Sequence, residues 1–391
     1  MRIALVIRRL DPRRGGAEVW TARLVRSLVR ARYSVIVVAE EVWGEVPDRV
    51  EFQKVRLSSR TGSGRRLEFA RKAEQLLESL RPDVIHDQGD GWYFDLLQPH
   101  GGTRRRSIEQ NLARLPGPIA TAKRALLRYL PRYRAFRSLE HRQYIAPPKE
   151  GFYIAVSDLV AADFRDHYGI DRRKIRVVYN GVDLNYFNPL ATASARGSVR
   201  RRLGISAAAT VFLLVAVNFR LKGGYQFLEA LHRLIRKGQH VVGIVVGRPP
   251  GVRVRRFVHR LGLENHVKFV GAVSDPRPFY AAADVYVHPT FSDACSLVVL
   301  EAMAMELPVI TTQFNGAAAL VDRFRTGIVL PDPRDITRLA AAMRTTCSRP
   351  WRDIRREAAA AARPFLSWER NFAAIQQLYD ECRARQFRAA C

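Results

Sequence analysis

Short apolar runs alternate along this chain with stretches whose apolar residues return at helical spacing, and the alternation persists for most of its length. Arg2 to Arg9 predicts a first strand. A loop with Gly15 and Gly16 follows, then an amphipathic helix from Ala17 to Ala31 with Trp20, Leu24, Leu28 and Ala31 on one face. Val35 to Ala39 predicts the second strand, Arg66 to Leu80 a helix and Asp83 to His86 another strand. Phe152 to Val156 leads into Ser157, whose hydroxyl suits the N-cap of a helix reaching Tyr168. Past Ile175 to Val178 the periodicity lapses, and Asn180 to Arg202 collects Asn, Pro, Gly, Ser and Ala. A second alternation then begins. It reads as strand Thr210 to Val217, helix Gly224 to Arg236, strand Val241 to Val246, helix Arg253 to Leu261 and short strand Val267 to Val270. Strand Ala283 to His288, loop Thr290 to Cys295, helix Ser296 to Met305 and strand Pro308 to Thr312 make a further βαβ unit. Helical stretches Asp335 to Cys347 and Trp351 to Arg363 precede Ser367 to Arg385, where Trp368, Phe372, Ile375, Leu378 and Tyr379 repeat at helical spacing.

Alternating strands and helices imply parallel sheets, which close into a barrel or stay open as doubly wound layers. The lapse near residue 180 divides the chain in two and favours two Rossmann-like domains whose parallel sheets face across a cleft. The expected boundaries are 1–182 for an N-terminal domain, 183–202 for a linker, 203–365 for a second domain, and 366–391 for a terminal helix crossing back to the first domain. A chain of 391 residues suits two cores better than one. No internal repeat at a solenoid period is evident.

Charge narrows the partners. The formal net charge of +28 exceeds what solubility requires and points to an anion: nucleic acid, acidic lipid or a phosphorylated substrate. The cysteines Cys295, Cys347, Cys382 and Cys391 form no CxxC or His/Cys cluster, which argues against structural zinc and a disulfide framework and fits a reducing cytosol. MRIALVIRRL has too short an apolar run for a signal peptide, and the apolar stretch near Ala207 to Val217 falls short of the roughly 18 residues a membrane span needs.

Two carboxylates bracket the start of the Ser296 helix. Asp293 stands outside it and Glu301 five residues inside, about 7 Å along the axis at roughly 1.5 Å per residue. The unpaired N–H groups at Ser296 and Leu297 then offer a phosphate site between a sugar-binding end at Asp293 and a ribose-binding end at Glu301. An acidic residue at a helix start also arises simply because it favours the dipole. Glu301, placed among Leu297, Leu300, Ala302 and Met303, calls for a hydroxyl partner. Arg220 and Lys222 in NFRLKG, after the first strand of the second domain, are placed to neutralise a diphosphate, although two cations in a loop are ordinary in so basic a chain. Gly15 and Gly16 allow close backbone approach to a ligand or simply make a tight turn, and no GxGxxG fingerprint accompanies them. His100, between Pro99 and Gly101, has its ring open to the cleft or to plain solvent. Thr103 to Arg142 gathers Arg104, Arg105, Arg106, Arg114, Arg124, Arg128, Arg132, Arg134, Arg137 and Arg142 with interleaved apolar residues. Such a segment suits a basic amphipathic helix on anionic lipid, with a solvated basic face over ordinary core as the plainer reading. No nucleic-acid motif accompanies the charge.

Taken in order, the Gly15-Gly16 loop, His100-Gly101, IRVVYNGVDLNYFNP, NFRLKGG, VKFVG, the Asp293 to Glu301 unit with EAMAMELPVI, and the closing SWE resemble glycosyltransferase family 4, the retaining GT-B group, nearly end to end. Within it the chain is most similar to the lipopolysaccharide core glucosyltransferases, whose membrane-contacting segment occupies the position of the 103–145 insert. The resemblance implies that Gly15 and Gly16 border donor phosphate and acceptor, that Arg220 and Lys222 hold the diphosphate, and that Asp293 binds sugar hydroxyls. It further implies that Ser296 and Leu297 cap the phosphate, that Glu301 holds the ribose, that Phe269 and Val270 line the base, and that His100 contacts the donor sugar. Arg124, Arg128, Arg132 and Arg137 would meet the membrane.

The activity so implied is metal-independent, retaining hexosyl transfer, with glucose from UDP-glucose moved onto a lipid-linked or lipopolysaccharide core saccharide at the inner face of the plasma membrane. No cofactor and no nucleic acid enter it. A GDP-mannose-dependent mannosyltransferase, or a decayed scaffold binding anionic membrane or nucleic acid, stay open. Asp293 stands where the family has glutamate, and Glu306 where glycine is usual.

Overall fold

The computed structural model describes residues 1–13, 15–44, 49–112, 115 and 117–390, with side chains described to residue 385. Arg114 and Cys391 lie outside the described residues. Two compact units emerge, one of residues 1–180 with 371–391, the other of residues 181–370.

The first unit is built on a seven-stranded sheet. Its order is Val50–Lys54, Ser34–Ala39, Arg2–Val6, Val84–Asp87, Leu96–Leu97, Phe152–Ala155 and Ile175–Val177, every neighbouring pair parallel. The central strands Arg2–Val6 and Ser34–Ala39 are buried on both faces and read accordingly as near-continuous apolar runs. The second unit carries six parallel strands in the order Val267–Gly271, Val241–Gly247, Thr210–Ala216, Val285–His288, Val309–Thr312 and Gly327–Leu330. In each sheet the first strand lies between the second and the fourth of the main sequence, so the connections leave it in opposite directions. That reversal opens a crevice beyond the carboxyl ends of the two adjacent strands, where ligands of doubly wound sheets bind. In the second unit those strands are Thr210–Ala216 and Val285–His288.

The terminal helix Trp368–Ala390 lays Ile375, Leu378, Tyr379 and Cys382 into the first unit. Trp20 Nε1 donates to Asn371 Oδ1 at 3.2 Å, and the Tyr379 hydroxyl meets His86 Nδ1 at 2.8 Å. The face expected from helical spacing is the one buried.

Two expectations change. The stretch read as a linker folds as helices Pro189–Thr192 and Ala195–Arg202 within the second unit. Arg196 and Arg200 fasten it there, each donating to Asp284, at 2.6 and 2.7 Å. The lapse in apolar periodicity arose because this helix is held by arginines rather than by an apolar stripe. The basic insert is likewise no single amphipathic helix. It comprises helices Arg104–Leu112, Gly117–Leu127 and Pro131–Glu140, followed by a π-helical turn at His141–Ile145. Pro131 starts the third of these, where its missing N–H costs nothing.

Candidate functional site

Gly223 sets the geometry of the second unit's crevice. Its φ of +74° is the left-handed region, and a Cβ there would stand 2.1 Å from the carbonyl oxygen of Pro289. Glycine therefore lets the loop after Thr210–Ala216 press against the loop after Val285–His288. Leu221 completes the junction, its carbonyl accepting from the Phe291 N–H at 3.0 Å and the Thr290 hydroxyl at 3.2 Å. Lys222, between these two contacts, is carried to the rim of the next loop.

There its ammonium donates to Asp293 Oδ2. His288 Nε2 approaches the same oxygen at 3.3 Å, the Ser296 hydroxyl lies 3.4 Å from that nitrogen, and the Tyr286 hydroxyl reaches His288 Nδ1 at 3.2 Å. These partners define the tautomer: Tyr286 donates to Nδ1, and Nε2–H donates to the carboxylate. Burial pushes the His288 pKa down, against the pull of Asp293 and with the repulsion of Lys222, so the ring is neutral. For Asp293 burial acts upward, but the Lys222 charge and the His288 hydrogen bond outweigh it and hold the carboxyl well below the usual carboxylate range. Both contacts fall on Oδ2. Among the described residues Oδ1 has no hydrogen-bond partner.

The backbone fixes this side chain further. Asp293 N–H donates to Phe314 at 2.9 Å and its carbonyl accepts from Gly316 at 2.9 Å. Asn315 then reaches the helix start, its Oδ1 accepting from Ser296 N–H at 3.2 Å. Ser296 was expected to offer that amide to phosphate; Asn315 already takes it. The helix is Leu297–Ala304 with Ser296 as N-cap, and the partly exposed amides of Leu297 and Val298 have no acceptor among the described residues. The anion-facing turn thus shifts by one residue, to Leu297 and Val298.

Glu301 also differs from expectation. The buried Tyr280 hydroxyl donates to its Oε2 at 2.9 Å. The hydroxyl partner that its apolar surroundings demand is therefore supplied by the protein, and burial alone gives no argument for a ribose. The tyrosine responds in turn, since burial and then the Glu301 charge raise its pKa well above normal.

Arg220 is exposed on the same loop as Lys222. Phe269 and Val270 are partly exposed on the edge strand Val267–Gly271, with Phe269 6.3 Å from the Phe219 ring. In the first unit Gly15 caps the helix Gly16–Arg30 with extended backbone, φ 177°, which any residue adopts. The backbone there imposes no need for glycine.

His100 is not open. Its ring lies 4.5 Å from that of Trp20, and its Nε2 meets Gln88 Oε1 at 2.9 Å. Burial pushes its pKa down to about 3, opposed by a hydrogen bond with Asn180. His86 beneath it is likewise pushed to about 3, chiefly by burial. Both rings are neutral at pH 7. The cavity that His100 lines has a volume of about 270 Å³ and lies at the first unit's own strand reversal, where Arg9, Arg66 and Arg104 face it together with Glu18, Asp90 and Glu140.

The insert arginines separate. Arg124 and Arg128 are exposed beside Ile119, Leu126 and Tyr129, themselves 54, 58 and 72% exposed. Arg132 instead lies over the Phe136 ring, and Arg137 donates to the Arg128 carbonyl at 2.8 Å. Among the described residues no helix is long and apolar enough to cross a membrane, and no group of three His, Cys, Asp or Glu side chains stands ready for a metal.

His288, Tyr286, Tyr280 and Gly223 carry this geometry and were not singled out in the sequence. The Gly223-Gly224 pair after a strand was the readable signal. His288 was legible only as the last residue of an apolar strand.

Comparison with known proteins agrees with the fold. Residues 209–349 match the family model described as glycosyl transferases group 1, and residues 14–186 the model of glycosyltransferase family 4. The lipopolysaccharide glucosyltransferase WaaG of Escherichia coli K12 is 26% identical over 326 residues, which is 79% of this chain and 80% of that protein. The crystal structure of WaaG superposes with a TM-score of 0.75 at 23% identity, covering 93% of this chain and 95% of WaaG. A D-inositol 3-phosphate glycosyltransferase of Geodermatophilus obscurus is 28% identical over 396 residues, 93% of this chain and 84% of that one. Anabaena HepE, solved in complex with UDP-glucose, gives a TM-score of 0.69 at 20% identity, covering 97% of this chain and 98% of HepE.

Proposed function

Because the chain belongs to the family 4 glycosyltransferases and has the two-domain GT-B fold, we propose that it transfers glucose from UDP-glucose to a lipid-linked or lipopolysaccharide core saccharide. One observation carries the donor reading: at the strand reversal of the second unit, Lys222, Asp293 Oδ1 and the amides of Leu297 and Val298 stand on two adjoining loops. Cation and amides suit a diphosphate, and an ionised carboxylate oxygen without a partner suits sugar hydroxyls. The names of the relatives supply the rest: WaaG is called a lipopolysaccharide glucosyltransferase, and HepE was solved with UDP-glucose.

In the reaction the bond from the sugar's anomeric carbon to the β-phosphate oxygen breaks, and the acceptor oxygen bonds to that carbon on the same face, which retains configuration. The acceptor proton passes to the departing phosphate. Lys222, Arg220 and the two amides stabilise the charge that develops on UDP, the term that commonly dominates enzymatic rate enhancement. With fixed cations in that role, turnover needs no metal and survives EDTA. Neutral His100 serves as a fixed hydrogen-bonding contact rather than as a base. Glu301, held by Tyr280, is the ribose ligand. The outward face of Ile119, Lys123, Arg124, Leu126 and Tyr129 seats the enzyme on anionic membrane.

Thermal-shift titration with UDP, GDP and their sugars tests the donor. UDP and UDP-glucose are expected to stabilise the protein, and Lys222→Met to remove most of that shift. Stabilisation by GDP alone overturns the donor, and absence of any nucleotide effect overturns the enzyme reading. Sedimentation with phosphatidylglycerol vesicles tests the membrane face, which is refuted if the double variant Leu126→Glu, Tyr129→Glu sediments as well as the parent.

A further inference from the structure

The amino edge of the second unit's sheet carries a cavity of about 560 Å³, and five arginines line it. Thr210, Asp284 and Leu307 in its wall stand at or just before the starts of strands Thr210–Ala216, Val285–His288 and Val309–Thr312. The donor groups lie past the opposite ends of the first two of these strands. At roughly 3.3 Å per residue, Val285–His288 alone holds the two places about 10 Å apart. The cavity is therefore a separate place, of a size that small ligands occupy.

Two helices supply the arginines. Arg196 and Arg200 stand at i and i+4 on Ala195–Arg202, while Arg349, Arg352 and Arg356 fall at i, i+3 and i+7 on Arg349–Ala362, so each set shares one helix face. The first set is structural. Arg196 Nη2 and Arg200 Nη2 donate to the two oxygens of Asp284, at 2.6 and 2.7 Å, and the Val211 N–H donates to Oδ2 as well, at 2.8 Å. The second set is left short of partners. Arg352 Nη1 donates to the Thr346 and Cys347 carbonyls, and among the described residues its guanidinium meets no carboxylate. Arg356 makes no hydrogen bond among the described residues, its nearest carboxylate oxygens, on Asp284 and Asp353, standing at 3.7 and 3.9 Å. Arg349 Nε likewise has Asp353 at 3.8 Å, beyond hydrogen-bond reach.

Negative charge falls short at this cavity. Asp284 and Glu306 line it, Asp353 stands beside Arg349 and Arg356, and Glu306 also faces Arg363 at 3.9 Å. Five guanidinium groups against three carboxylates leave an excess of two. A solvated basic face does not account for the row, because Arg356 is only 36% exposed. Burial, and then the charges of Arg196 and Arg352, draw its pKa down despite Asp284. Cations are thus held together where little within the protein offsets them.

We propose that this cavity binds a phosphate dianion, as free phosphate or a phosphate monoester, held by Arg349, Arg352 and Arg356 in the field of Arg196 and Arg200. A monoester carries about −1.5 to −2 at pH 7, which matches the excess, whereas a monocarboxylate or phosphodiester leaves one charge unmet. Planar guanidinium forks also pair well with tetrahedral phosphate oxygens. The site goes beyond the transferase reading and does not rest on it.

Calorimetric titration of the full chain with inorganic phosphate, glycerol 3-phosphate and glycerol tests it. Glycerol 3-phosphate is expected to bind at least tenfold more tightly than glycerol. Arg349→Gln with Arg356→Gln removes no hydrogen bond within the protein and should weaken both phosphates tenfold or more, while Lys222→Met, at the donor crevice, should not. A parent that binds neither phosphate overturns the site, as does binding that survives the double variant or that Lys222→Met removes instead. Because like charges are relieved, the double variant should melt no lower than the parent in phosphate-free buffer. A lower melting temperature with phosphate binding unweakened assigns the row to structure and also overturns the site. Sedimentation with phosphatidic acid vesicles separates the two sources of such a group: loss in the double variant assigns a lipid headgroup, and unchanged sedimentation a soluble phosphate.

Discussion

Replacing Gly223 by alanine isolates the contact on which the donor site depends. Two costs arise at this position. The backbone cost comes from φ +74°, where an L side chain loses roughly 1–2 kcal/mol. The second comes from the Cβ itself, which would lie 2.1 Å from Pro289 O, so that one loop must retreat by about 1 Å to reach an ordinary contact. Overpacking of this kind costs roughly 1–3 kcal/mol. Gly262 supplies the matched control, because its φ of +63° carries the first cost while open space removes the second. For a unit of this size about 1 kcal/mol moves Tm by roughly 2–4 °C. Gly262→Ala should therefore lower Tm by a few degrees, and Gly223→Ala by about 5–15 °C. The distinguishing readout is activity. Lys222 is bonded to the residue that moves, and a misplacement of about 1 Å at a positioned group costs on the order of 10²-fold in turnover. Donor hydrolysis measured well below either melting point should fall about a hundredfold in Gly223→Ala and be unchanged in Gly262→Ala. If both variants melt together and turn over alike, the loop junction does not set the site.

Other perturbations read different parts of the molecule. His86 and His100 are pushed to about 3 by burial, whereas in the unfolded chain they titrate near 6.5. The unfolded state thus binds more protons between those limits, and stability falls on acidification below about pH 6.5 by up to roughly 1.4 kcal/mol per pH unit for each ring. Urea midpoints at pH 7 and pH 5 check this, and a flat profile contradicts it. Asp293 has the depressed pKa of a paired carboxylate, so its contribution is full above about pH 4 and lost only as pH falls below that. Lys222→Met removes the pairing charge from a contact only about one-fifth exposed and should cost roughly 1–3 kcal/mol, together with UDP affinity; denaturant unfolding with and without UDP separates the two losses. Glu306 adopts φ +59° at the end of the Leu297–Ala304 helix, where its N–H bonds Met303 O at 3.0 Å and that of Leu307 bonds Ala302 O at 2.9 Å. Glu306→Gly relieves the left-handed strain and should stabilise the unit by up to about 1 kcal/mol after the added freedom of the unfolded chain. A lower Tm would show that the Arg363 contact, 3.9 Å away, matters more than the strain.

Apolar periodicity made the two parallel sheets and the terminal helix legible, because strands buried on both faces and a helix with one buried stripe leave distinct spacings. It failed where arginines replaced apolar residues as the fastening. The Ala195–Arg202 helix looks like a linker until Asp284 is seen to hold Arg196 and Arg200. The candidate site was legible as a set of motifs but not as contacts. Nothing in the order of residues shows that Lys222 closes on Asp293, 71 positions away, or that Asn315 consumes the Ser296 amide. Tyr280 was the costliest omission: an apolar-looking PFYAA segment hides the hydroxyl that neutralises the argument from Glu301's burial.

The same distinction governs what a net charge of +28 means. Part of it is engaged within the protein. Arg196 donates to Ala283 O at 2.8 Å, Arg200 to Ala282 O at 2.9 Å, and Arg352 to Thr346 O and Cys347 O at 2.8 Å each, so these cations satisfy carbonyls at helix ends. A second group, Arg66, Arg104 and Arg132, crowds the Phe136 ring. A third, with Lys123, Arg124 and Arg128, accompanies exposed Ile119, Leu126 and Tyr129. Cations spread along an exposed helix beside apolar side chains favour an extended anionic surface. Salt tests that reading. Vesicle attachment through the helix combines apolar insertion with screened charge and should weaken steeply but incompletely between about 50 and 500 mM NaCl. Sedimentation across that range measures it, and attachment that does not change with salt would show that the cations of the insert contribute nothing to it.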